Sequence, residues 1–128
     1  MKTVRVCAAI LENDNGEIWC AQRGYGEFRG LYEFPGGKLE PGESPRQALL
    51  REIREELDCE IQVEDFFMKA EYDYPSFHLD MDCYLCRFVT SPHLLEHLDG
   101  RFVPKSRLMD LPWIPADVQI AKRLLETR

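Results

Sequence analysis

The chain has 128 residues, 45% hydrophobic and 30% charged, a globular balance with length enough for one sizeable core over residues 1–128. Its net charge of −7 excludes a general binder of nucleic-acid polymers, which would carry a basic face, but does not exclude a nucleotide whose charge a metal and a few cations offset. No apolar run approaches a membrane span and the N-terminus, MKTVRVCAAI, lacks a signal-peptide pattern, so a soluble, cytoplasmic protein is expected.

Residues 3–11 are apolar and β-rich. Asn13-Asp14-Asn15-Gly16 is a turn signal, and Glu17–Arg23 alternates like a returning strand. Residues 24–43 hold six of the eight glycines and two prolines, which predicts a long functional loop. Ser44 then caps a helix, with Pro45 at its first position and Gln47 completing a capping box. Leu50, Ile53 and Leu57 fall within roughly 60° of arc and are its expected buried stripe.

Residues 59–72 and 77–89 read as two strands of a hairpin around Asp73–Ser76. A polar connection over 90–100 leads to a short strand near Arg101–Val103. Pro112–Pro115 breaks the chain, and Asp117–Thr127 reads as a last helix with Ile120, Leu124 and Leu125 inward. The order predicts a mixed α+β domain with helices packed on a sheet. Five cysteines at scattered spacing give no disulfide framework, and Cys83 and Cys86, three apart on a strand, face opposite ways as buried thiols.

The helix over 44–57 carries Arg51, Glu52, Glu55 and Glu56. At about 100° per residue the three glutamates share roughly 100° of arc, and the like-charged Glu52 and Glu56 at i and i+4 disfavour an isolated helix. Such a face is either solvated or built for a hard cation, which binds through carboxylates and substrate phosphates.

Gly37, Glu43, Arg51, Glu52, Ile53, Glu55 and Glu56 match the pattern G-x5-E-x7-R-E-U-x-E-E-x-G-U, where U is aliphatic. This resembles the Nudix box, with Asp58 and Cys59 in place of its last glycine and aliphatic residue. Asp tolerates the left-handed conformation that such a helix end needs, so a local cost is expected and not loss of a metal site. Gln22-Arg23, the run Leu31–Lys38 and Pro115-Ala116-Asp117 further resemble the MutT-type nucleoside triphosphate pyrophosphohydrolases, which act on oxidised dGTP or on CTP.

The resemblance implies a Nudix fold (α/β/α) and a Mg²⁺-dependent hydrolase, with Mn²⁺ as a substitute, acting on a small nucleotide. It implies Gly36, Glu52, Glu55, Glu56 and Glu96 as metal ligands, with Glu52 activating the water and Glu96 an alternative base. Arg51 is expected to orient the acids and Glu43 to support them. Arg23 and Lys38 are the expected phosphate cations, and Phe34, Tyr74, His78 and Asp117 the base contacts. His93 and His97 read as surface residues. The intact glutamates argue against a nucleotide-sensing module without catalysis, and an ADP-ribose or nucleotide-sugar hydrolase ranks behind a triphosphate enzyme. A monomer and a homodimer both stay open.

Overall fold

The computed structural model describes residues 1–127. Its first two strands are buried on both sides, because successive strand residues point to opposite faces. In β1 (Lys2–Leu11), Cys7, Ala9 and Leu11 enter one core cluster, while Ala8 and Ile10 enter a second. In β2 (Glu17–Gln22), Trp19 and Ala21 join the first cluster and Ile18 and Cys20 the second. Each cluster is closed by one helix. α1 (Pro45–Leu57) brings Ala48, Leu49, Ile53 and Leu57 to the first, and α2 (Val118–Leu125) brings Ile120, Ala121 and Leu124 to the second. The architecture is therefore α+β with strands between helices, as expected.

The strands form two sheets. The larger has the order β4-β1-β6-β5, with β4 Gly36–Lys38, β5 Ile61–Tyr74 and β6 Phe77–Phe88. β1 runs parallel to β6, and β4 and β5 are antiparallel to their neighbours. The smaller sheet has the order β3-β2-β7, with β3 Tyr32–Glu33 and β7 Asp99–Pro104. The turn after β1 forms as expected, with the Asn13 side chain accepting the backbone N–H groups of Asn15 and Glu17. The returning strand nevertheless does not pair along β1. After one bridge, Glu12 to Ile18, it leaves for β3 and β7, because β4 and β6 already occupy both edges of β1.

α1 begins as the sequence predicts. The Gln47 N–H donates to Ser44 Oγ at 3.2 Å, and the Ser44 N–H donates to Gln47 Oε1 at 2.9 Å. It ends at Asp58, left-handed at φ 47° and ψ 47°, whose N–H donates to the Arg54 carbonyl. The buried stripe differs by one position from the expected one: Leu49 is fully buried and Leu50 is 37% exposed. Ile53 and Leu57 fit either stripe, and packing against β1 and β2 decides which leucine goes in. In α2, likewise, Leu125 is exposed and Ala121 is buried.

β5 and β6 form the expected hairpin, closing with Tyr74 opposite Phe77. Cys83 and Cys86 fall in different core clusters, and all five cysteines are free and buried. Among the described residues no helix is long and apolar enough to cross a membrane. Leu49→Ala should cost about 2–5 kcal/mol and Leu50→Ala less than about 1 kcal/mol in urea unfolding. Equal losses would show that the stripe is misplaced.

Candidate active site

Two of the three acids on the α1 face, Glu52 and Glu55, are held by one guanidinium. Arg51 Nε and Nη2 donate to the two carboxylate oxygens of Glu43 at 2.7 and 2.9 Å. Its Nη1 donates to Glu52 Oε1 at 2.9 Å and to Glu55 Oε2 at 3.3 Å, and Nη2 also reaches the Lys38 carbonyl at 2.9 Å. This fork, backed by the Glu40 N–H, holds the Glu43 carboxyl down at about 2. Glu43 is thus committed to Arg51, which in turn fixes the aim of Glu52.

β4 brings the glycine turn against that face. Its register places Gly36 opposite Ala8 and Gly37 opposite Cys7. A side chain at Gly37 would meet the Glu52 carboxyl, so glycine there leaves that carboxyl in the place where Arg51 holds it.

Glu52, Glu55, Glu56, Glu96, Tyr25 and His97 line one cleft. Glu56 is strongly perturbed. Burial pushes its carboxyl up to about 9, and the neighbouring Glu33 and Glu52 charges add to the effect, with Arg23 opposing it. Such a cluster, short of positive charge, has the hard oxygen donors that a divalent cation takes. Among the described residues no three of these groups stand in chelating geometry, so a cation here would need substrate phosphates and water to complete its shell.

A second cavity lies beside the first, on the β6 and β3 side, and is lined by Arg23, Glu33, Phe34, Gly36, Tyr74 and Asp117, among others. Phe34 is buried and stacked on Trp113 at 4.6 Å between ring centroids. Tyr74 stacks on Phe77 at 5.1 Å, and its hydroxyl accepts the Ala116 N–H at 3.3 Å. Asp117, 5% exposed, accepts the Phe34 N–H through Oδ2 at 2.9 Å. Burial raises its carboxyl to about 7, assisted by Glu33 and opposed by the Phe34 N–H and Arg23.

Three expected residues stand differently. His78 alternates away from the cavity that Phe77 and Leu79 line, and pairs instead with Asp73 and Glu71. Lys38 is exposed and lines neither cavity; its carbonyl is what serves Arg51. His97, expected at the surface, has a side chain only 5% exposed and bonds Glu33 Oε2 through Nε2 at 3.0 Å.

Glu33 is the residue that the sequence reading missed. Burial pushes its carboxyl upward, but hydrogen bonds from His97 and Arg23 outweigh this and hold it below the usual range. Arg23 donates to Oε1 through Nη2 at 2.6 Å and Nε at 3.1 Å. The available signal was one acid within the apolar run Leu31–Pro35, on a strand too short to show periodicity.

Comparison with known proteins gives this arrangement its family. The NUDIX domain model matches residues 7–123. The chain is 32% identical to an 8-oxo-dGTP diphosphatase of Haemophilus influenzae, over 97% of this chain and 93% of that protein. It is 33% identical to a CTP pyrophosphohydrolase of Escherichia coli, over 100% of this chain and 96% of that one. The solution structure of the E. coli ORF135 protein superposes with a TM-score of 0.87 at 34% identity, covering 98% of this chain and 90% of that one. Through a family match that takes in both cavities, the protein belongs to the Nudix family and is a nucleotide pyrophosphohydrolase.

Proposed function

We propose that the protein hydrolyses a nucleoside triphosphate to the monophosphate and pyrophosphate, with Mg²⁺ as cofactor and Mn²⁺ able to replace it, and that 8-oxo-dGTP is its main substrate. The supporting observation is the pair of adjoining cavities, one aromatic with a buried acid, the other lined by four glutamates. The relative named 8-oxo-dGTP diphosphatase, matched over nearly its whole length, supports the choice of base.

In this reading Glu52, Glu55, Glu56, Glu96 and the Gly36 carbonyl hold the cation. A bound divalent ion would draw charge off the phosphates and polarise the attacking water. Glu52 takes the proton of that water, its carboxylate aimed by Arg51. The water oxygen bonds to one phosphorus of the α–β anhydride as the bond from that phosphorus to the bridging oxygen breaks. The leaving group, the nucleoside monophosphate or pyrophosphate according to which phosphorus is attacked, carries away the electron pair. Arg23 bonds Glu33 through Nε and Nη2, which leaves Nη1 to meet the phosphates.

The base lies between Phe34, Tyr74 and Asp117. With one oxygen held by Phe34 and a carboxyl near 7, Asp117 accepts from a base N–H when ionised and donates to a carbonyl when neutral. The guanine edge offers both kinds of partner. A cytosine amino group also suits the ionised form, so CTP or a modified dCTP is the second reading, supported by the CTP pyrophosphohydrolase relative.

A screen of 8-oxo-dGTP, dGTP, CTP, dCTP, ADP-ribose and nucleotide sugars by kcat/KM decides among these. The expected order puts 8-oxo-dGTP first; a preference for cytidine nucleotides would give the second reading, and a sugar diphosphate would overturn both. Glu52→Gln should lower kcat by about 10²–10⁴-fold with the melting temperature preserved. Near-normal turnover would remove Glu52 from the chemistry.

Glu56 supplies a pH test. Its folded-state carboxyl, at about 9 against an ordinary 4.5, keeps a proton that the unfolded chain gives up. Stability of the metal-free protein should therefore fall as pH rises between those two values. Mg²⁺ should raise the melting temperature most at the alkaline end, and Glu56→Gln should flatten the slope. A slope unchanged in Glu56→Gln would show that the raised acid lies elsewhere.

A further inference from the structure

Glu96 reaches the cleft on a segment without regular structure, yet lies beside the glutamates of α1. The backbone ties of that segment are few. The His93 N–H donates to the Leu57 carbonyl at 2.7 Å, and the Leu98 N–H to the Gln22 carbonyl at 2.9 Å. Between them the Glu96 carbonyl lies against Gly24 so closely that any side chain there would strike it. The surrounding Leu94, Leu95 and Leu98 are exposed.

Among the described residues, the one buried side-chain tie of this segment is His97. Its ring is 5% exposed and bonds Glu33, while its Nδ1 is buried without a partner among the described residues. The Glu33 carboxyl is held in its charged form, so it accepts and the His97 Nε2–H donates. A buried polar ring with a single partner depends on that partner, because losing it leaves a desolvated group unpaired. The same carboxylate takes Arg23 on its other oxygen and bears on Glu56 from behind the cleft.

We propose that His97 is a positioning residue: its bond to Glu33 anchors the 93–98 segment and so sets Glu96 opposite the α1 glutamates. This rests on the reading of Glu96 as a cation-holding residue. The anchor also joins the Glu96 segment to Arg23 through one carboxylate, so the cation side and the phosphate side of the site share a support.

The experiment compares His97→Leu, which keeps an apolar body in the core, with His97→Gln, whose amide N–H falls near the lost Nε2–H. Hydrogen exchange of residues 93–98 reads the anchor, and the Mg²⁺ concentration for half-maximal rate reads its consequence. His97→Leu should speed exchange in that segment at least about tenfold and raise the Mg²⁺ requirement by about 10–100-fold, the range for losing a residue that supports a ligand. His97→Gln should restore most of both. Combined with Glu96→Gln, His97→Leu should add less than about threefold, because the two act as a unit.

Exchange unchanged in His97→Leu would overturn the anchor. So would a His97→Gln variant no better than His97→Leu, or full multiplication of the two activity losses. Faster exchange with normal Mg²⁺ dependence in both His97→Leu and Glu96→Gln would leave the anchor standing and remove Glu96 from the cation site.

Discussion

Four carboxylates crowd one cleft, and the planar fork of Arg51 is what aims two of them, Glu52 and Glu55. A helix face with Glu52, Glu55 and Glu56 repels itself, and burial makes it worse by taking water away from Glu56. Arg51 spends its donors on Glu43, Glu52, Glu55 and the Lys38 carbonyl, so a single cation joins the helix to the glycine turn. Without a cation the Glu56 carboxyl keeps its proton, and a divalent ion that displaced it would suit both the cleft and a phosphate chain. Stability and chemistry thus pull against each other at Glu56, as is common where charge must be stored for a ligand.

The same logic is repeated one layer back. Glu33 is buried where an unpaired acid would be costly, and is kept charged by Arg23 and His97. It lies between the cavities, bearing on Glu56 on one side and on Asp117 on the other. A change in either cavity therefore meets the same carboxylate. Proximity alone does not make this communication, but it explains why three residues from β3, the segment after β2 and the loop before β7 had to converge here.

The legible parts of this molecule were those with a local signature. The capping box at Ser44, the glutamate spacing on α1, the left-handed end at Asp58 and the opposed cysteines of β6 follow from neighbours in sequence, and each is present. The turn after β1 was legible too, but the destination of β2 was not, because which sheet a strand joins depends on which edges distant strands have filled. β3 and β4 are too short for periodicity, so Glu33 stayed hidden inside an apparent loop. Leu49 and Leu50 differ by only one step around the helix, and the packing of the sheet chooses between them. His97 looked exposed because its partner lies 64 residues away in the chain.

The central claim is that Arg51 serves by geometry and not by charge alone. Arg51→Lys keeps the positive charge but loses the fork that spans Glu43 and Glu52. Measured as kcat/KM for pyrophosphate release at saturating Mg²⁺, with folding checked by circular dichroism, this variant should fall by about 10–100-fold, the range for loss of an orienting partner. A folded Arg51→Lys enzyme with wild-type kcat/KM would contradict the account.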